Sequence, residues 1–214
     1  MTSLASRLRK QHGFTLIEMA IVLVIIGLIV AAVSVGKDAQ RNAEYNKIFN
    51  KFLSQWGQAY NQYYERSGVV LLDDTTNPTG EVNSDGTEVK EGTLTGAMDD
   101  IGIKYPVGNG TGKEYQYVYY DHQGVPHTLA VSFKFCGDGT TGTACDSDLA
   151  GNIMIISKIT SELAKRFDAA IDGVPDGQKG NFRSSTGDAW ADYAAAGDTG
   201  AVAADYTANW KMTQ

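Results

Sequence analysis

Proline, cysteine and histidine are all scarce, and each shortage excludes something. Four prolines occur in 214 residues. The first is Pro78, so no proline interrupts a helix in the first third of the chain. Two cysteines, Cys136 and Cys145, and three histidines, His12, His122 and His127, fit no four-ligand zinc pattern. His122 and His127 flank a hairpin turn and read as surface residues rather than ligands. Patterns of the G-x-S-x-G, H-E-x-x-H, phosphate-loop and dinucleotide-glycine kinds are missing, which leaves enzymatic chemistry without positive support. Basic charge is short as well, with 18 Lys and Arg against 25 Asp and Glu. Arg7, Arg9 and Lys10 precede Gly13, so the balance beyond it is 15 against 25. A body that acidic repels nucleic-acid phosphate, and no nucleic-acid partner is expected.

What the chain does have is one long apolar run. Phe14 to Val33 is interrupted only by Thr15, Glu18 and Gly27, and as a helix it reaches ~30 Å, one hydrocarbon thickness. The basic cluster before it and the acidic body after it place the N-terminus in the cytoplasm and the body outside. The small residues of "VAAVS" (Val30 to Ser34) offer an alternative, cleavage as an ordinary secretory signal. Against that stands the length of the run, and a helical pattern that continues beyond it with a changed face.

From Lys37 onward, Tyr45, Ile48, Phe49, Phe52, Leu53, Trp56, Tyr60, Tyr63 and Tyr64 recur in steps that form one stripe of an amphipathic helix. Ser67-Gly68 supplies the stop. A nearly continuous helix from Phe14 to Arg66, ~80 Å long, is therefore expected, with Gly27 and Gly36 as its weak points. The aromatic stripe reads as core packing rather than a ligand or electron path.

The organisation that follows is residues 1–13 before the apolar run, 14–36 as a spanning half-helix, 37–67 as an amphipathic half-helix, and 68–214 as a globular head. Within the head, residues 69–113 read as loop, with "GAMDDIGI" as one helical turn. Residues 114–158 read as an antiparallel meander built on "EYQYVYY", "HTLAVSFKF" and "NIMIIS". Residues 160–172 form a short helix capped by Thr160, and 173–214 a C-terminal region whose Trp190, Tyr193, Tyr206 and Trp210 cover the sheet. The fold class is α+β: a long N-terminal helix packed on an antiparallel sheet of about three to four strands. Between Cys136 and Cys145 the chain is rich in Gly and Thr and can fold back on itself. An exported head predicts a disulfide there; two unpaired thiols are the alternative. Asp168, Asp172 and Asp176 are weak calcium candidates, with a solvated loop as the plainer reading and no cofactor otherwise expected.

The opening stretch "KQHGFTLIEMAIVLVIIGLI" resembles the N-terminal signature of type IV prepilins and pseudopilins. A short basic leader ends in Gly13, and Phe14 and Glu18 stand at the family's spacing before an unbroken apolar helix. The stretch "ITSELAKRFDAAIDGVPDGQKGNFRSS" also resembles a segment of prepilin-like proteins. The resemblance implies cleavage between Gly13 and Phe14 by the prepilin peptidase, which also methylates the new Phe14 amine, and an assembly role for Glu18. It implies a pilin-like fold and a structural subunit, not an enzyme, of a type IV pilus, major or minor. A pseudopilin of a type II secretion system is the close alternative, and a membrane-anchored exported binding domain the distant one. The implied partners are other pilin subunits, the peptidase and the inner-membrane assembly machinery. The implied locations are the inner membrane, then an extracellular pilus or periplasmic pseudopilus. Relatives commonly carry a proline near Val35 and Gly36, and this chain does not.

Physical chemistry gives Glu18 a reason to seek a partner. A carboxylate at mid-membrane costs about 2.5–3.5 kcal/mol on insertion scales, and less near the surface. Cleavage creates an amine at Phe14 that is largely protonated at neutral pH. Two intrachain options are open, the positive end of its own helix and the amine four residues away; the resemblance adds the amine of a neighbouring subunit.

Overall fold

A computed structural model describes residues 14–137, 149–191 and 205–213. The chain divides into two compact units after Ala43. In the first, helix α1 (Leu16–Ile48) begins and runs through Gly27 and Gly36 without a break. Its apolar side chains from Leu16 to Val35 are exposed on all sides of the helix. Among the described residues, this is the one helix long and apolar enough to cross a membrane.

The second unit starts with the last turn of α1. The expected helix irregularity is found at neither glycine but at Phe49–Leu53, a π-helical turn in which the Ser54 amide donates to the Phe49 carbonyl. Helix α2 (Ser54–Ser67) follows and closes on Gly68, whose φ of 77° is the left-handed cap a glycine tolerates best. Ile48, Phe52, Leu53, Trp56 and Tyr60 are completely or almost completely buried, so the stripe is core, while Tyr64 at its margin is exposed.

The sheet has five strands, one or two more than expected, all antiparallel in the order β1-β2-β3-β5-β4. They are β1 (Gln116–Tyr120), β2 (Pro126–Cys136), β3 (Gly151–Ile159), β4 (Phe182–Ser184) and β5 (Tyr206–Lys211). Within the C-terminal stretch β5 is an inner strand; Tyr193, expected to cover the sheet, lies outside the described residues. The stretch after α4 (Ser161–Ile171), read as loop, contributes the short edge strand β4. In β3 an extra residue sits at Lys158, where φ is 59° and the register with β5 slips between Ile156 and Ile159. The bulge lets residues three apart in a strand both be buried. Thr160 then caps α4, its hydroxyl accepting from the Leu163 amide at 3.4 Å.

The expected loop before β1 is more ordered than its composition implies. Helix α3 (Glu91–Asp100) is ten residues long, not a single turn, and Val82, Val89, Leu94 and Met98 are buried. Val89 and Phe133 exchange backbone hydrogen bonds of 2.7 and 2.9 Å, extending the sheet edge beyond β1. Asp73 organises the preceding turn. Its carboxylate accepts from the Thr79 and Gly80 amides and from the Thr79 and Ser84 hydroxyls at 2.8–3.2 Å.

The helix meets the sheet and the segment before β1 through aromatic pairs. Phe52 lies 5.4 Å from Tyr117, Trp56 stacks on Tyr105 at 5.3 Å, and Tyr60 stacks on Phe133 at 5.0 Å with planes 5° apart. Each fully buried apolar side chain of this size stabilises the head by about 1.5–3 kcal/mol. The Tyr60 hydroxyl is buried without a hydrogen-bond partner, and burial pushes its pKa up. Tyr60→Phe is therefore expected to be neutral or to stabilise the head, by up to about 1 kcal/mol, because it keeps the stack and removes a desolvated polar group. Chemical denaturation of the two proteins measures the difference.

Candidate functional site

The N-terminal end of α1 is where polar chemistry meets an apolar surface. Thr15 precedes the first helical residue and Glu18 is the third within the helix, the S/T-x-x-E spacing of a capping box. The Thr15 amide and hydroxyl donate to Glu18 Oε2 at 2.8 and 2.9 Å, and the Glu18 amide donates to the Thr15 hydroxyl at 3.3 Å. The Met19 amide closes the first turn on the Thr15 carbonyl at 3.2 Å. Helix N-termini leave amides without intrahelical acceptors, and a carboxylate there satisfies donors while meeting the positive end of the dipole. The box holds Glu18 at the N-terminal end of the apolar surface. Phe14 is 80% exposed; Gly13, the expected cleavage residue, lies outside the described residues.

Thr15 was not singled out in the sequence, although its spacing to Glu18 was sufficient to find it. With it, the intrachain partner of Glu18 is identified as the helix's own first turn.

The other candidate residues belong to the head and serve its architecture. Asp168 is fully buried on α4, and its Oδ2 accepts from the Trp190 indole at 2.6 Å and the Gly177 amide at 2.9 Å. Burial, then the nearby Asp172 and Asp176, raise its pKa against the lowering effect of those two bonds. Asp172 accepts from the Asn181 and Phe182 amides, and Asp176 from the Gln178 and Lys179 amides. Each carboxylate thus ties down a different part of the 173–190 segment. Among the described residues no group of three His, Cys, Asp or Glu side chains is placed to hold a metal ion.

Cys136 is buried at the end of β2; its expected partner Cys145 lies outside the described residues. His127 corrects the surface reading. Its side chain is only 9% exposed, stacked on Tyr119 at 5.5 Å, with Nε2 3.1 Å from Asp121 Oδ2 and Nδ1 3.2 Å from Asp205 Oδ1. Nothing in its spacing signalled this, because Asp205 is distant in sequence. The groove of about 440 Å³ lined by Gln55, Gln58, Gln62, Arg66, Lys104 and Tyr105 is open and polar.

Comparison with known proteins agrees with the N-terminal geometry. Residues 8–34 match the family described as the prokaryotic N-terminal methylation motif. No match was found among curated proteins or among solved structures. The chain therefore carries a type IV prepilin-like signal segment, and its helix-plus-sheet architecture is of the pilin-like α+β kind.

Proposed function

From a prepilin-like N-terminus, we propose that this chain is a structural subunit of a type IV pilus, cut after Gly13, methylated at Phe14 and polymerised through α1. The observation that carries this reading is the apolar stretch of α1 from Leu16 to Val35, exposed on every side, whose one carboxylate, Glu18, is held in a capping box at the end nearest the cut. A helix of that kind is unstable in water and has to be covered by lipid or by other chains. Lipid covers it before assembly, with the N-terminus cytoplasmic and the head outside; neighbouring subunits cover it in the filament.

Glu18 links the two environments. Thr15 engages Oε2, and the remaining carboxylate oxygen is offered to the Phe14 amine of an axially staggered neighbour. That pairing neutralises two charges in an apolar medium and is favoured only at the correct stagger. Partners under this reading are other pilin-like subunits, the prepilin peptidase and the inner-membrane assembly machinery. Export also places Cys136 and Cys145 where a disulfide persists. A pseudopilin of a type II secretion system shares every step and differs in the machine that extends it.

The test is the mature N-terminus. Mass spectrometry of membrane and sheared-filament fractions is expected to find N-methyl-Phe14 as the first residue. A chain that keeps its leader, or one cleaved near Ser34, would place it instead among anchored or secreted domains. Electron microscopy of filaments containing the chain, against chain confined to a secretion apparatus, separates the two machines.

A further inference from the structure

His127 sits between two carboxylates, and the valence of its ring makes that arrangement depend on a proton. The Nε2 edge faces Asp121 Oδ2 at 3.1 Å and the Nδ1 edge faces Asp205 Oδ1 at 3.2 Å. An ionised carboxylate only accepts, so both contacts are hydrogen bonds when both ring nitrogens carry hydrogen, which is the imidazolium. A neutral ring has one N–H and satisfies one carboxylate; the other then faces a lone pair.

The two partners are not equivalent. The Asp121 side chain is 3% exposed, and its Oδ1 already accepts from the Gln123 and Val125 amides at 2.8 Å, so the turn after β1 holds it in place. The Asp205 side chain is 50% exposed and can exchange the ring for water. Tyr119 is the third titratable group against the ring; its face stacks on the imidazole, while its hydroxyl accepts from the Thr160 amide at 2.8 Å. Loss of a proton is therefore expected to leave Nε2–H on Asp121 and to release Asp205.

We propose that His127 is a proton-dependent clasp on the entry to β5. Asp205 immediately precedes Tyr206, the first residue of that strand, which lies between β3 and β4. With the ring doubly protonated, the start of β5 is tied to the start of β2 and to the β1–β2 turn. With the ring neutral, the tie to β5 is gone and its first residues fray toward the edge strand β4. Both contacts together use both ring protons, so loss of one proton opens the tie to Asp205 and leaves the tie to Asp121. The role is independent of which filament the chain enters.

The full chain in detergent micelles tests this by hydrogen exchange between pH 5.5 and 8.5, corrected for the intrinsic dependence of exchange on pH. Losing one charge-assisted hydrogen bond corresponds to about a tenfold loss of protection in peptides covering Tyr206 to Ala208 as pH rises. Nitrogen NMR of labelled histidine is expected to show both His127 ring nitrogens protonated wherever Tyr206 to Ala208 are protected, and one bare nitrogen where that protection is lost. Asp205→Asn supplies the control, because an amide accepts from Nδ1–H or, turned over, donates to a bare Nδ1. That variant is expected to keep β5 protected across the range. Protection in the parent protein that does not change with pH, or an unchanged dependence in Asp205→Asn, would overturn the clasp. So would a ring with one bare nitrogen at every pH at which β5 is protected.

Discussion

Glu18→Ala is expected to leave cleavage after Gly13 intact and to remove the chain from filaments. Under the proposed reading the cut lies five residues upstream, at the peptide bond of Gly13, and Glu18 would supply the charge that a neighbouring Phe14 amine needs in apolar surroundings. Removing the acid leaves that amine to be buried unpaired, at a cost of several kcal/mol per interface. A filament repeats that cost at every subunit. Thr15→Val separates the two layers of the site. It removes the hydroxyl of the capping box but keeps the carboxylate, so the loss should be near 1 kcal/mol, roughly a fivefold fall in incorporation. The check is the ratio of sheared-filament to membrane-bound protein, with the processed fraction read from the same gel by mass. Normal filaments from Glu18→Ala would remove the intersubunit pair from the proposal.

The second large effect belongs to the head. Asp73→Ala should destabilise it by about 3 kcal/mol, a fall of roughly 6–12 °C in melting temperature for a unit of this size. Asp73 is 7% exposed, and its carboxylate serves a ring of amides and hydroxyls from Thr79, Gly80 and Ser84. Alanine leaves those donors facing one another. Asp73→Asn keeps one acceptor oxygen and should cost about half as much. The same bonds hold the Asp73 pKa at about 2, below the ordinary 3.8, against the opposing effect of burial. A depressed acid pKa stabilises the folded state above the unfolded value, and the benefit is lost as pH falls through 3.8 toward 2. In Asp73→Asn that part of the acid sensitivity should be missing from a pH series of melting curves.

Much of this was legible in the sequence, and the parts that were not have definite causes. The apolar run, the aromatic stripe and the Gly68 stop are local periodic signals, and the structure follows them. Strand β5 was missed because "YTANWK" has little alternation of its own; pairing with β3 and β4 makes it a strand. The turn around Asp73 reads as exposed loop by composition, yet one carboxylate collects enough donors to order it. The capping box is legible in the S/T-x-x-E spacing of Thr15 and Glu18 alone. His127 was not readable at all, since its second partner lies 78 positions away.

The π turn at Phe49–Leu53 left no trace in the spacing either, because apolar steps of three and four suit both kinds of helix. Its consequence is one of phase. One additional residue in a turn rotates everything on one side of it by roughly 100° relative to a regular helix. Tyr45 is thereby indexed to Tyr119, and Trp56 and Tyr60 to Tyr105 and Phe133, as two separately aligned segments of the helix. Such a slip joint frees the two segments from a common alignment. A lineage gaining or losing a residue here would re-aim half of the stripe without altering a single side chain in the other half.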